Sequence, residues 1–68
     1  MNSPEGRKKL GEKLKKARQK AKLTQEQVAD KSELSTGYYA SVERGVENIS
    51  SDNLLKLEKV LGIKLLNI

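Results

Sequence analysis

Residues 24–45, TQEQVADKSELSTGYYASVERG, constrain the fold of this chain more than any other segment. The side-chain oxygen of Thr24 can cap a first helix, and Gln27, three residues later, can return a bond to the Thr24 backbone. Ser35 is a similar cap for a second helix. Gly45 can end that helix in the left-handed conformation, which only glycine adopts without strain. The segment therefore predicts two short helices joined by a tight turn.

The two predicted helices are too short to be stable alone. Each has about two turns, and isolated helices of that length are marginal in water. Val28 and Ala29 supply apolar residues in the first helix, and Tyr39 and Val42, three apart, give the second helix one apolar face. The turn between them falls at residues 31–34. The flanking segments must therefore supply a core for both helices.

A further helix is predicted upstream of this segment, ending at Lys22. It begins either at Ser3-Pro4, a cap followed by proline, or nearer Arg7, because Gly6 weakens the earlier start. Apolar residues recur along it at steps of four, three and four: Leu10, Leu14, Ala17 and Ala21. This stripe gives the helix one narrow buried face.

A last helix is predicted downstream, after Ile49, which should enter the core. Ser50 or Ser51 caps this helix and Gly62 ends it. Its apolar residues are Leu54, Leu57 and Leu61, with Leu55 and Val60 widening the stripe. With 68 residues, the chain is expected to form a single all-α domain, residues 1–68, of four to five helices.

The tail IKLLNI, residues 63–68, is rich in large aliphatic side chains and has little chain left to cover it. An exposed apolar patch at a terminus usually marks an interface. Leu65, Leu66 and Ile68 are therefore predicted dimer contacts. The alternative is that Ile63 and Leu66 fold back onto the first helix, and both arrangements can hold together.

Composition argues against several classes of site. The chain contains no Cys and no His, so the commonest zinc ligands and the commonest general base are missing. It also has no glycine-rich phosphate loop. We therefore expect no enzymatic activity, no metal, no cofactor and no small-molecule ligand. No apolar run approaches the length of a membrane span and no signal peptide is evident, so we expect a cytoplasmic protein without a membrane partner.

The positive charge is concentrated at one end of the chain. The net charge is +5, but residues 1–22 hold nine basic against two acidic side chains, whereas residues 23–68 hold five basic against seven acidic. A basic domain favours an acidic partner, with nucleic acid the leading candidate. The alternative is a lysine-rich surface that only interacts with solvent.

Taken together, the motifs resemble the helix-turn-helix domain of the phage-repressor and Cro-like (XRE-type) DNA-binding proteins. The matching residues are Thr24 to Ala29, Leu34-Ser35, Tyr39, Val42 to Gly45, Asn48 to Ser50, Asn53 to Leu57 and Leu61 to Ile63. Two positions depart from the family pattern: Glu33, where glycine is usual, and Glu58, where alanine is usual. The resemblance implies a lambda-repressor-like fold with its helix-turn-helix at residues 24–45. It also implies a homodimeric transcriptional regulator that binds a palindromic operator in double-stranded DNA.

The resemblance implies roles for individual residues as well. The start of the second helix of the motif enters the major groove, which places the base-reading positions at Ser35, Thr36, Gly37 and Ser41. The residues expected to contact phosphates are Lys22, Gln25, Tyr38, Arg44 and Asn48. Arg18 and Glu43 are expected to form a largely buried ion pair that fixes the recognition helix.

The predicted base-reading set is unusual because it contains no Arg, Gln or Asn, the residues that pair bidentately with guanine or adenine. Hydroxyl groups discriminate weakly, so specificity is expected to depend on DNA shape and on water. The alternative from another functional class is a protein-interaction module, such as an antitoxin or a transcription adaptor built on the same domain. In that role the apolar tail would bind a protein partner.

Overall fold

The computed structural model describes residues 3–65, which form four helices in succession. These are α1 (Pro4–Lys20), α2 (Gln25–Lys31), α3 (Thr36–Glu43) and α4 (Ser51–Leu61). α1 packs against α3, and α2 packs against both α3 and α4. The predicted all-α architecture is confirmed, with four helices in the described part of the chain. Within residues 3–65, no helix is long and apolar enough to cross a membrane.

Each helix begins at a hydroxyl side chain that caps it. The caps are Ser3, Thr24, Ser35 and Ser50, whose oxygens accept bonds of 3.0–3.2 Å from the amide three residues later. Gln27 returns a bond to the Thr24 amide at 2.9 Å and completes the predicted capping box. The first helix therefore starts at the Ser3-Pro4 pair, and the last helix is capped by Ser50 and not by Ser51.

The first helix ends earlier than the sequence pattern predicts. Lys22 has a φ of 59°, in the left-handed region, and the Leu23 amide donates to the Arg18 carbonyl at 3.0 Å. This closes α1 at Lys20 and turns the chain towards α2. Ala21 is consequently exposed, so its assignment to the buried stripe is wrong.

The core lies between the four helices and the segment that follows α4. Its buried apolar members are Leu10, Leu14, Val28, Ala29, Tyr39, Val42, Ile49, Leu54, Leu57 and Leu65. Tyr39 is the largest fully buried side chain, and Ile49 enters the core as predicted. Leu55 is 45% exposed, so its assignment to the buried face of α4 is wrong. It follows Leu54 by one residue and so points about 100° away around the helix.

The start of the apolar tail belongs to this core. Leu65 is only 6% exposed, and its amide donates a hydrogen bond to a carboxylate oxygen of Glu58. The prediction that Leu65 is an uncovered residue available for a dimer contact is therefore wrong, because the monomer itself covers it. Glu58, one of the two departures from the family pattern, holds the tail in place. Leu66 and Ile68 lie outside the described residues.

α1 lies close enough to α3 and to the residues just after it to require glycine at two positions. A Cβ added to Gly11 would lie 2.2 Å from the Glu43 carbonyl oxygen and 2.8 Å from that of Val42. A Cβ added to Gly45 would lie 2.8 Å from the Cα of Lys8. The C-terminal end of α3 therefore rests directly on the backbone of α1.

The turn between α2 and α3 contains a strained residue. Glu33 has a φ of 59°, a conformation that costs a residue with a Cβ about 1–2 kcal/mol. Glycine removes this cost but loses about 0.5–1 kcal/mol more conformational entropy on folding. We therefore expect Glu33→Gly to raise the free energy of unfolding by about 0.5–1 kcal/mol, measured by urea denaturation followed by circular dichroism.

A matched control separates strain from charge. Glu47→Gly removes the same charge from another exposed position, whose φ is not in the left-handed region. This variant should not be stabilised. An equal gain for both variants would attribute the effect to charge and contradict the strain account.

Candidate nucleic-acid interface

The recognition helix of the motif, α3, has one buried face and one open face. Tyr39 and Val42 are buried in the core, whereas Gly37, Ser41 and Arg44 follow one another at steps of four and three on the other side. No atom lies within 4 Å of a Cβ added at Gly37, so the surface there is open to a close approach. The four predicted base-reading residues lie in or beside this open face: Ser35, Thr36, Gly37 and Ser41.

Hydrogen bonds orient two hydroxyl groups near this face. The oxygen of Ser35 accepts from the Tyr38 amide at 3.1 Å, and that of Ser41 accepts from Nη2 of Arg44 at 3.2 Å. In both cases the oxygen is the acceptor, so the hydroxyl proton is left to donate elsewhere. Both serines can therefore donate to an acceptor atom on a base edge.

The C-terminal end of α3 is held by the ion pair that the resemblance implies. Arg18 donates from Nε to Glu43 Oε2 at 2.6 Å and from Nη2 to Oε1 at 3.2 Å, a bidentate arrangement. The side chains are only 13% and 4% exposed. The remaining guanidinium nitrogen, Nη1, donates to the Leu23 carbonyl at 3.0 Å. The pair therefore joins α1, α3 and the segment that leads into α2.

Gln25 adds α2 to this cluster. Its side-chain Nε2 donates to Glu43 Oε1 at 3.1 Å. An amide nitrogen carries two protons, so one is used here and the other is left for an outside acceptor. The structure thus gives Gln25, a predicted phosphate contact, a second role in fixing α2 against α3.

The electrostatics of the cluster favour an ionised pair at neutral pH. Burial opposes ionisation of Glu43, but the Arg18 guanidinium, the neighbouring Tyr39 hydroxyl and the Gln25 amide outweigh it and hold the pKa of the carboxyl below its usual value. The hydrogen bond to Glu43 raises the pKa of Arg18. Burial, with the Glu43 carboxylate as a further cause, raises the pKa of Tyr39. At neutral pH the cluster therefore contains one cation, one anion and a neutral phenol.

The other predicted phosphate contacts lie on α3, in the segment just after it, and at the junction of α1 and α2. Tyr38 donates its single hydroxyl proton to the Asn48 carbonyl at 3.2 Å, so it must give up that bond to donate to a phosphate. The Asn48 side-chain oxygen accepts from Arg7 Nη1 at 3.1 Å. Lys22 is exposed at the junction of α1 and α2. The structure therefore leaves Lys22 and the Asn48 amide nitrogen more accessible than the Tyr38 proton.

Two residues of α1 that the sequence analysis did not assign support this surface. Gly11 permits the close approach to α3, and Arg7 donates from Nε to the Gly45 carbonyl at 3.4 Å. A glycine inside a helix costs about 1 kcal/mol relative to alanine, which is a signal that it serves packing. Arg7 gives no such signal, because its partners lie 38 and 41 residues away.

Comparisons with known proteins agree with this geometry. A helix-turn-helix family model matches residues 14–67. The control protein C.MunI of a Mycoplasma species is 46% identical over 57 residues, which cover 82% of this chain and 77% of that protein. The control protein C.BamHI of Bacillus amyloliquefaciens is 36% identical over 56 residues, 81% of this chain and 69% of that protein.

A phage protein is also similar over most of this chain. The immunity repressor protein of Bacillus phage phi105 is 40% identical over 55 residues, which are 81% of this chain but only 38% of that protein. No solved structure matches the chain.

The ion pair and the open face of α3 predict different effects for substitutions at Glu43 and at Ser41. Glu43→Ala leaves the buried Arg18 without its partner and should lower the free energy of unfolding by about 3–5 kcal/mol. Ser41→Ala removes a hydroxyl from the open face and should change stability by no more than about 0.5 kcal/mol, while altering DNA preference. Thermal melts and competition binding measure both effects. Equal melting temperatures for the two variants would contradict the anchoring role of Glu43.

The same pair predicts a dependence on pH. Because folding lowers the pKa of Glu43, its contribution is present above the ordinary value of 4.5 and is lost as pH falls through the folded value. Glu43→Gln, which cannot ionise, lacks this dependence. The stability difference between the wild type and Glu43→Gln should therefore be constant near neutral pH and shrink once the pH falls below about 4.5.

Proposed function

The chain belongs to the helix-turn-helix family of DNA-binding transcriptional regulators, and on that basis we propose that it is a homodimeric repressor or controller protein acting at a palindromic operator. The observation that carries the proposal is the open face of α3, held in place by the buried pair of Arg18 and Glu43. As a regulator of transcription, it is proposed to act in the cytoplasm.

A dimer is proposed because α3 is short. Its eight residues make about two turns, so one chain reaches only a few base pairs of one major groove. Two chains related by a twofold axis would place their recognition helices about 34 Å apart, one turn of DNA. Such a pair fits two inverted half-sites, and a single chain would lose most of the affinity.

Base recognition is assigned to the cap and the open face of α3. Ser35 and Ser41 would donate their hydroxyl protons to acceptors on base edges, and the Thr36 methyl would contact a thymine methyl. Gly37 would contribute no contact of its own but would let the helix approach closely. Because these groups discriminate weakly, we assign much of the specificity to the shape of the DNA and to bridging water.

Phosphate contacts are assigned to polar residues at the α1–α2 junction, at the start of α2, and on α3 with the segment that follows it. They are Lys22, Gln25, Tyr38, Arg44 and Asn48. Lys22 and Arg44 are exposed cations, and Gln25 keeps one amide proton after bonding to Glu43. These contacts carry no sequence information, but they fix the register of the protein on the duplex.

The dimer contact is assigned to Leu66 and Ile68, since Leu65 is covered within the monomer. The exposed Leu55 supports this assignment, because it lies on α4, the helix that leads into the tail. A symmetric contact counts every residue twice, and each fully buried side chain of this size contributes roughly 1.5–3 kcal/mol. After a cost of association of at least about 4 kcal/mol, a weak dimer remains favourable.

The proposal is tested by binding to a duplex selected from a randomised pool by the wild-type protein. About four phosphate contacts per chain, and thus about eight per dimer, predict a slope of roughly −7 in a plot of log affinity against log salt concentration. Two chains should bind each duplex, and the selected sequence should be an inverted repeat. Fluorescence anisotropy in a salt titration and sedimentation equilibrium measure these quantities.

A matched truncation locates the dimer contact. A chain ending at Leu65 keeps every core residue that lies within residues 3–65, so it should stay folded but sediment as a monomer and bind the duplex poorly. If that chain still dimerises, the contact lies elsewhere. A salt slope near zero for the full chain would contradict DNA as the main partner, and one chain per duplex would contradict the homodimer.

A further inference from the structure

The side chain of Arg7 on α1 bonds to the segment between α3 and α4. Its Nε lies 3.4 Å from the Gly45 carbonyl oxygen and its Nη1 lies 3.1 Å from Oδ1 of Asn48. The backbones also touch here, since a Cβ at Gly45 would lie 2.8 Å from the Cα of Lys8. Arg7 therefore sits where α1 meets the segment that leaves the recognition helix.

The chemistry of arginine fixes the orientation of the Asn48 amide. A guanidinium group carries five N–H donors and no acceptor. Only the oxygen of the Asn48 amide can therefore face Arg7, and the NH₂ group must point away from it. The Asn48 backbone is held at the same time, because its carbonyl oxygen accepts from the Tyr38 hydroxyl at 3.2 Å. Asn48 is exposed, so its two remaining donors face the surroundings.

We propose that Arg7 is a positioning residue that presents the Asn48 amide to a DNA phosphate as a donor. A phosphate in the DNA backbone is an acceptor at neutral pH, so only the NH₂ side of an amide can bind it. Without Arg7, the amide could rotate and present its oxygen, which a phosphate repels. The proposal rests on the DNA-binding function and on the assignment of Asn48 as a phosphate contact.

Two other roles for Arg7 give different results in binding experiments. Arg7 could bind a phosphate directly or add positive charge, and its effect on affinity would then not depend on Asn48. It could also act only as a brace within the fold, and its loss would then lower stability without any specific effect on DNA binding. A double-mutant cycle between Arg7 and Asn48 separates these roles from the one proposed.

The cycle uses Arg7→Met, which keeps the aliphatic stem but removes every donor, and Asn48→Ala. The probe is a 24-base-pair duplex, chosen by the wild-type protein from a randomised pool, with a mixed-sequence duplex alongside. We expect Arg7→Met to weaken binding to both duplexes by about fivefold, but by less than about twofold when Asn48 is already alanine. Lys9→Met is the charge control, because it removes the same charge from an exposed position two residues away.

A second variant tests the donor directly and does not depend on the loss of Arg7. Asn48→Asp keeps the shape of the side chain and strengthens its bond to Arg7, so thermal stability should be equal or higher. It replaces the NH₂ donor with a charged oxygen, and DNA affinity should fall by about tenfold or more. Arg7→Lys should retain most of the affinity, because an ammonium group is also only a donor.

The outcomes are distinguishable. The proposal fails if Arg7→Met weakens DNA binding by the same factor in the wild type and in Asn48→Ala. It also fails if Arg7→Met weakens binding no more than Lys9→Met does. In either case Arg7 does not act through Asn48. Wild-type affinity in Asn48→Asp also overturns it. If the wild-type protein binds neither duplex, the proposed function fails, and this assignment fails with it.

Discussion

The rest of the structure depends on the hydrogen bonds made by the carboxylate of Glu43. This carboxylate accepts two bonds from Arg18 on α1 and one from Gln25 on α2, and Glu43 is the last residue of α3. Three helices thus meet at one buried charge. Breaking such a pair leaves the other charge buried without a partner, which costs far more than the intact pair contributes. The pair therefore favours one relative orientation of these helices over all others.

The close approach of α1 and α3 turns this orientation into a rigid support. Gly11 and Gly45 let the C-terminal end of α3 and the residues just after it touch the backbone of α1, and Arg7 adds a bond to the Gly45 carbonyl. A short helix such as α3 has little stability of its own. The contacts with α1 hold α3 in place, so its open face is not needed for packing against the core. The same contacts would hold the face that we propose reads bases, composed of Ser, Thr and Gly, in a fixed position.

Much of the fold follows from local signals in the sequence, because capping and helix periodicity depend on neighbouring residues. Thr24 and Gln27 predict the capping box, and Gly62 predicts the end of α4. Contacts between distant residues give no such signal. The bond from Arg7 to Asn48 spans 41 residues, and the burial of Leu65 depends on its bond to Glu58 and on the shape of the whole core. The pair of Arg18 and Glu43 was anticipated only through the family resemblance.

The substitution Gly11→Ala tests most directly whether the α1–α3 contact supports the recognition helix. Helix propensity alone predicts that alanine stabilises α1 by about 1 kcal/mol. A Cβ 2.2 Å from the Glu43 carbonyl oxygen would instead force the helices apart and destabilise the fold by about 1–3 kcal/mol. Gly37→Ala is the matched control, since that position has open space and should gain up to about 1 kcal/mol. Urea denaturation measures the free energy of unfolding of both variants. We expect a decrease for Gly11→Ala and an increase for Gly37→Ala. An increase of equal size for Gly11→Ala would contradict the account.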